Sequence, residues 1–248
     1  MILLSLQNLT VMRGECPVVD HVNLTVDAGA FVGLIGPNGA GKTTLMRGAL
    51  GLVPTQGDSS LQQMDPAHRA RHVGWLPQSR EIAWPVDVRT LVSLGRIPHS
   101  GRPKATDTAV DQALARMHLT DFADRIATKL SGGEQARVLI ARALAQETPL
   151  LLADEAIAGL DPANQIMVMQ LFSQLATEGR GIIASIHDLG LAARHCSRLL
   201  LMHMGRVVAD GPPDQVLTPD HMRDVFGISG YYADTDHGPI FQPLEVLT

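Results

Sequence analysis

Short apolar runs recur along the chain, and each ends at a turn residue or a polar residue. The clearest are AFVGLIG (30–36), PLLLAD (149–154), GIIASIH (181–187) and RLLLMHMGRVVADG (198–211). The first three are almost continuously apolar, which is typical of parallel strands that are buried on both faces. The fourth is interrupted at Met204-Gly205, so it predicts an antiparallel β-hairpin at one edge of the sheet.

The region from 79 to 147 has a different pattern, with apolar residues at helical spacing and little strand signal. Asp87 is a predicted N-cap for the helix VRTLVSLG, and Val110, Leu114 and Met117 form a predicted core stripe in AVDQALARMHL. The chain is therefore predicted to be a single α/β domain over residues 1–248 with a mostly parallel sheet. Residues 1–78 and 148–248 would form the α/β core, which starts with an antiparallel β region, and residues 79–147 an inserted helical subdomain.

Composition narrows the class of protein. The 248 residues are 45% hydrophobic and 18% charged, as in a soluble globular domain. A net charge of −5 gives no overall basic field, so nucleic acid is not expected as the main partner. Cys16 and Cys196 lack metal-ligand spacing and are expected to be reduced thiols. No apolar run reaches the length of about 18 residues that a transmembrane helix needs, and the N-terminal stretch MILLSLQNLTVMRGE has no basic n-region, so the chain is expected neither to cross a membrane nor to be exported.

A glycine-rich loop carries the strongest chemical signal. GPNGAGKTT (36–44) fits G-x-x-x-x-G-K-[ST] and lies between a predicted strand and the helical segment TLMRGAL. Gly36, Gly39 and Gly41 would let backbone N–H groups surround a β-phosphate, while Lys42 would place a cation at the β and γ oxygens. Thr43 would hold Mg²⁺ through its hydroxyl. The other predicted nucleotide-binding positions of the loop are Pro37, Asn38, Ala40 and Thr44.

Two later strands end in residues that suit phosphate chemistry. Asp154 and Glu155 follow the second predicted strand, where Asp154 would support Mg²⁺ and Glu155 would polarise an attacking water. His187 ends the third strand, at the sheet edge where ligands of open α/β proteins gather. It could face a γ-phosphate or be a structural histidine.

The segment LSGGEQ (130–135) opens a predicted helix with two glycines. Ser131 and Glu134 have the spacing of a capping box, with Ser131 as N-cap. Gly132 and Gly133 would lie in the first turn, whose N–H groups have no helical partner, so a phosphate could approach closely. A capping box alone would explain Ser131 and Glu134 equally well.

Together these motifs resemble the ATP-binding cassette (ABC) ATPases over nearly the whole chain. GPNGAGKTT is similar to their Walker A motif, Gln78 to their Q-loop, LSGGEQ to their signature, LLLADE to their Walker B, AGLD with Asp161 to their D-loop and His187 to their switch histidine. The resemblance implies that Gln78 serves both Mg²⁺ and catalysis. It also implies that the signature closes over ATP held by a second subunit, in a homodimer or a pair with a similar chain.

Two positions depart from that family's pattern. No aromatic residue stands where the family usually stacks one on adenine, and Arg13 is the candidate to replace it through its planar guanidinium. Ala156 follows Glu155 where the family usually has proline, so a looser turn with unchanged chemistry is expected.

Two segments, 84–101 and 187–213, resemble the ATPase subunits of importers for iron-siderophore, heme and vitamin B12. That resemblance implies integral membrane permease subunits as partners, an indirect link to a substrate-binding protein, and a peripheral location at the cytoplasmic face of the inner membrane. One alternative is a soluble ABC ATPase of DNA repair or translation, although neither a coiled-coil insertion nor a duplicated cassette is present. Others are the ATPase of a transporter for another substrate and a P-loop GTPase, for which the N-K-x-D motif is absent.

Overall fold

The computed structural model describes residues 1–79, 81–100 and 107–247. Its strands are β1 (Ile2–Arg13), β2 (Cys16–Asp27), β3 (Phe31–Ile35), β4 (Gln56–Ser59), β5 (Val73–Leu76), β6 (Leu150–Ala153), β7 (Gly181–Ser185), β8 (Arg198–His203), β9 (Arg206–Gly211), β10 (Ile228–Thr235) and β11 (Gly238–Val246). Its α-helices are α1 (Lys42–Ala49), α2 (Pro66–His72), α3 (Val88–Ser93), α4 (Ile97–Ser100), α5 (Thr108–Arg116), α6 (Gly132–Ala145), α7 (Pro162–Thr177), α8 (Leu189–His195), α9 (Pro213–Val216) and α10 (Pro219–His221). Short 3₁₀ turns cover Leu94–Arg96, Thr120–Phe122 and Ala127–Lys129, and a π turn covers Met222–Phe226.

A six-stranded sheet in the order β5-β6-β7-β3-β8-β9 forms the centre of the fold. All neighbours are parallel except β8 and β9, which pair as an antiparallel hairpin at the edge. The three parallel strands and the edge hairpin predicted from the sequence are confirmed. Because β3, β6 and β7 end side by side, the residues that follow them meet at one edge of the sheet.

The N-terminal strands form a separate antiparallel sheet in the order β2-β1-β4. Its apolar side chains, such as Leu4, Leu9 and Val19, pack with α1 against one face of the central sheet, where Leu34 and Leu200 lie. This confirms the predicted antiparallel region. The sheet and α1 together fix the position of the loop between β3 and α1.

The helices and 3₁₀ turns described between β5 and β6 are joined by irregular segments, and none of the named strands lies in this part of the described chain. Helix α6 packs against α3 and α5, and the predicted stripe Val110, Leu114 and Met117 is buried in a core that extends to the other face of the central sheet. Asp87 caps α3 as predicted, since its carboxylate accepts the Thr90 N–H at 2.7 Å. The boundaries 78/79 and 147/148 of the helical subdomain stay a prediction.

Strands β10 and β11 form a C-terminal hairpin that the sequence analysis did not predict. Phe241 of β11 is buried and fixes the hairpin against α8. Both cysteines are free thiols, Cys16 exposed and Cys196 buried. Among the described helices, none has the length and apolar character needed to cross a bilayer.

Candidate functional site

The loop between β3 and α1 requires glycine at its turns. Gly41 has φ 103°, and a Cβ at that position would lie 2.6 Å from the carbonyl oxygen of Val18. No side chain of the described residues caps α1, so the N–H groups of its first turn remain available. An uncapped N-terminus that begins at a glycine loop suits an anionic group such as phosphate.

Lys42 is 7% exposed and lies under this loop. Its ammonium donates to the carbonyl oxygens of Gly36 at 2.7 Å and Pro37 at 3.1 Å. Burial lowers the pKa of Lys42, and the nearby carboxylates of Glu155 and Asp154 oppose that effect. The cation is thus held in the loop by neutral oxygens that phosphate oxygens can replace.

Asp154 is buried at the end of β6, with 1% of its surface exposed. Its Oδ1 accepts a hydrogen bond from Ser185 Oγ at 2.8 Å, whereas its Oδ2 has no hydrogen-bond partner among the described residues. Ser185 Oγ in turn accepts the N–H of Glu155 at 2.7 Å. Sequence reasoning missed Ser185; its signal was a hydroxyl that ends the otherwise apolar strand GIIAS.

The Glu155 carboxylate joins two other predicted site residues. Its Oε2 accepts from Gln78 Nε2 at 2.9 Å, and its Oε1 lies 2.9 Å from His187 Nε2. The hydrogen bond from His187 is the main reason that the pKa of Glu155 is lowered. The backbone of Glu155 is left-handed, with φ 51°. An ionised carboxylate held in this way can accept a proton from a water molecule.

The oxygen atoms at this edge of the sheet fit Mg²⁺, which prefers carboxylate and other hard oxygen ligands. The Oδ2 of Asp154 is a buried carboxylate oxygen without a hydrogen-bond partner among the described residues, as a metal ligand would be. Gln78 donates through its Nε2, which leaves its amide oxygen for a ligand. Thr43 follows Lys42 directly in the first turn of α1.

The signature segment begins α6 with the predicted capping box. Glu134 Oε2 accepts from both the N–H and the Oγ of Ser131, each at 2.8 Å. A Cβ at Gly132 would meet no atom within 4 Å, and one at Gly133 would approach only Leu160, at 3.9 Å. No hydrogen bond or ion pair within the described chain connects this turn with Lys42 or Glu155. The signature turn is therefore an open surface, and the described polar contacts do not connect it to the loop that holds Lys42.

Three other predicted positions lie near these elements. Asp161 caps α7 by accepting the Asn164 N–H at 2.9 Å. Arg13 is exposed at the end of β1, opposite Cys16, so its contact with adenine stays a prediction. Ala156 is buried and follows the left-handed Glu155, a conformation that a proline at 156 would restrict. The turn continues with a hydrogen bond from the Ala158 N–H to the Glu155 carbonyl at 3.1 Å.

An apolar groove of about 380 Å³ opens on the helical region. The residues that line it are Glu81, Ile82, Ala83, Trp84, Val86, Thr90, Leu91, Leu94, Leu139 and Arg142. Trp84 is 72% exposed at this groove. Large exposed apolar side chains that border a concave surface are typical of a site for another protein.

Comparison with known proteins gives consistent matches. A family model described as "ABC transporter" matches residues 19–158. The cobalamin import ATP-binding protein BtuD of Halobacterium salinarum is 43% identical over 90% of this chain, which spans 58% of that relative's length. The hemin import ATP-binding protein HmuV of Bordetella pertussis is 41% identical, over 91% of this chain and 92% of its own length.

Solved structures agree with the sequence matches. A chain of a metal-chelate type ABC transporter in an inward-facing conformation has a TM-score of 0.85 and 28% identity, over 99% of this chain and 98% of its own. A dimeric ATP-binding cassette in a post-hydrolysis state, bound to ADP and Pi, has a TM-score of 0.76 and 26% identity, over 85% of this chain and 98% of its own.

Proposed function

The chain belongs to the ATP-binding proteins of the ABC transporter family, and from this premise we propose that it hydrolyses ATP to power the import of a metal chelate or of vitamin B12. The observation that carries the proposal is the convergence of Lys42, Gln78, Glu155 and His187 at one edge of the sheet, beside the unpartnered Oδ2 of Asp154. The relatives named for cobalamin and hemin import, and the metal-chelate type structure, support the class of cargo.

Each residue has a separate task in this proposal. ATP phosphates lie against the N-terminus of α1 and take over the Lys42 ammonium from the Gly36 and Pro37 carbonyls. Glu155 accepts the proton of the attacking water, and His187 keeps that carboxylate ionised and oriented. Mg²⁺, held by Thr43, Gln78 and Asp154, would neutralise charge on the phosphate oxygens.

The open signature turn supports a homodimer. Gly132 and Gly133 leave room for a phosphate, yet among the described residues no hydrogen bond or ion pair connects their turn with the Lys42 loop of the same chain. A second copy would bring its loop to this turn, so that two ATP molecules lie between the subunits. Asp161, on the neighbouring loop, would lie at the same interface. The dimeric cassette bound to ADP and Pi is a relative of similar fold.

The apolar groove near Trp84 supports permease subunits as the second class of partner. In this arrangement the chain is peripheral, at the cytoplasmic face of the inner membrane, and a substrate-binding protein acts only through the permease. A manganese transport ATP-binding protein of Bacillus subtilis, 37% identical over 90% of this chain, makes a transporter for another substrate the main alternative.

Reconstitution tests the function directly. The chain would be purified with its membrane subunits, placed in liposomes, and assayed for ATP hydrolysis with a binding protein loaded with vitamin B12, hemin, a ferric siderophore or Mn²⁺. We expect stimulation and uptake with one of the first three cargoes, and none in a matched complex that carries Lys42→Ala. Stimulation by Mn²⁺ alone would refute the cargo class. Failure to associate with any membrane subunit, together with stimulation by DNA or ribosomes, would refute transport itself.

A further inference from the structure

His187 lies between the end of β7 and the start of α8, so both elements hold its backbone. On one side, the Ile186 N–H donates to a carbonyl of β3 at 3.1 Å. On the other side, Asp188 is the N-cap of α8 and accepts the Leu191 N–H at 2.8 Å. The imidazole is 43% exposed, and its Nε2 lies 2.9 Å from Glu155 Oε1. That distance depends on the position of α8 as well as on the sheet.

Helix α8 depends on its packing for stability. It has seven residues, and isolated helices shorter than about 12 residues are marginal in water. The element that α8 packs against most extensively is β11 of the C-terminal hairpin. The buried face of α8, formed by Leu189, Ala192 and Ala193, belongs to the same core cluster as Phe241 of β11. The hairpin is therefore a main support of α8.

Phe241 makes the closest approach of the hairpin to α8. It is 5% exposed and is the one fully buried residue of β10 and β11. Its ring lies over Gly230 of β10, where a Cβ would be 2.6 Å from Phe241 Cζ. Its carbonyl oxygen faces the first turn of α8, where a Cβ on Gly190 would be 3.0 Å away. Both the side chain and the backbone of Phe241 thus press on elements that only glycine lets approach so closely.

We propose that Phe241 is a positioning residue for ATP hydrolysis: by holding the first turn of α8 it keeps His187 within hydrogen-bond distance of Glu155. The inference rests on the proposed function, in which His187 keeps the Glu155 carboxylate oriented toward water, and it adds the C-terminal hairpin to the elements that serve the reaction. A hairpin that only covered the core would stabilise the chain without acting through His187.

A double-mutant cycle separates these two roles. Phosphate release by the full chain would be measured for Phe241→Ala, His187→Ala and the double variant, below the melting temperature of each. We expect Phe241→Ala to lower kcat about 10-fold and to change KM for ATP less than about 2-fold, because the phosphate loop is held by other elements. In the His187→Ala background it should change kcat less than about 2-fold, because no imidazole remains to be positioned.

The hairpin itself offers a matched control. Tyr231 is an aromatic residue of β10 on the outer face and is 58% exposed, so Tyr231→Ala should leave kcat unchanged. Phe241→Leu keeps most of the apolar contact and should retain at least about half of the wild-type kcat. If Phe241→Ala does not fold, the cycle uses Phe241→Val, for which we expect the same pattern with a decrease of about 3-fold.

Three results would overturn the inference. One is wild-type kcat in the folded Phe241 variants. Another is an equal fold-decrease with and without His187, which indicates a structural role alone. The third is a matching decrease in Tyr231→Ala, which would assign the effect to folding of the hairpin. Wild-type turnover in His187→Ala would instead refute the proposed role of His187, and the inference would fall with it.

Discussion

Ser185→Ala removes a hydroxyl that bonds both the Asp154 carboxylate and the backbone N–H of Glu155. Ser185 is 1% exposed, and its Oγ donates to Asp154 and accepts the Glu155 N–H. Without it, Asp154 loses the partner of its Oδ1 while its Oδ2 already has none among the described residues. The left-handed backbone of Glu155 loses one of the hydrogen bonds that hold it. We expect a loss of both stability and hydrolysis.

The two hydrogen bonds set the size of the effect. A bond to a charged acceptor contributes about 1.5–3 kcal/mol and a neutral one about 1 kcal/mol, so the variant should lose about 3 kcal/mol of unfolding free energy. For a chain of 248 residues this corresponds to a melting temperature lower by about 6–12 °C. Displacement of the Glu155 carboxylate should lower kcat by about 10- to 100-fold.

Calorimetry and phosphate release measure these effects, with Ser173→Ala as the control. Among the described residues Ser173 Oγ bonds only the backbone carbonyls of Met169 and His195, so its loss should cost about 1 kcal/mol and leave hydrolysis unchanged. Saturating Mg²⁺ and ATP should narrow the stability gap of Ser185→Ala, because a cation then partners Asp154. Wild-type turnover in Ser185→Ala, or equal defects in both variants, would refute the positioning role.

Three further substitutions test single residues of the site. Lys42→Ala should abolish ATP binding or hydrolysis, measured by titration of ATP and by phosphate release. Unchanged turnover would refute the assignment of the glycine loop to ATP binding. Arg13→Ala should weaken ATP binding several-fold with turnover of bound ATP retained, whereas a nucleotide-bound structure with Arg13 in solvent would contradict it. His187→Ala should raise the pKa of Glu155 toward its ordinary value. Since Glu155 must be ionised to act as a base, and this is lost as pH falls through its pKa, the acid limb of the rate–pH profile should move to higher pH; an unmoved limb would contradict the assignment.

The parts of the fold that could be predicted are those with strong local signals. Strands β3, β6 and β7 are buried on both faces, so their residues are continuously apolar and stand out in the sequence. The capping box of Ser131 and Glu134 is likewise a local pattern of hydrogen bonds. The glycine loop combines a positive φ at Gly41 with the ammonium group of Lys42, and the sequence motif predicts both.

Other parts of the fold and the site depend on contacts between residues that are far apart in the sequence. Strand β4 has the sequence QGDS and becomes a strand only because it pairs with β1. The C-terminal hairpin depends on the packing of β11, which carries Phe241, against α8. No local pattern in the sequence predicts that contact. Ser185 lies 31 residues from Asp154, and no spacing rule connects them.

The most direct test of ATP-driven dimer closure is the oligomeric state of Glu155→Gln with ATP and Mg²⁺, measured by gel filtration with light scattering. Glutamine cannot take the proton of the attacking water, a loss of about 10² to 10⁴ in rate, while Lys42 and the loop still hold ATP. We expect a stable, ATP-bound homodimer that returns to monomer when Ser131→Arg is added, because the new side chain fills the space for the phosphate. If Glu155→Gln stays monomeric at saturating ATP, or if the double variant still dimerises, the signature turn is only a helix cap and the account of ATP-driven closure is wrong.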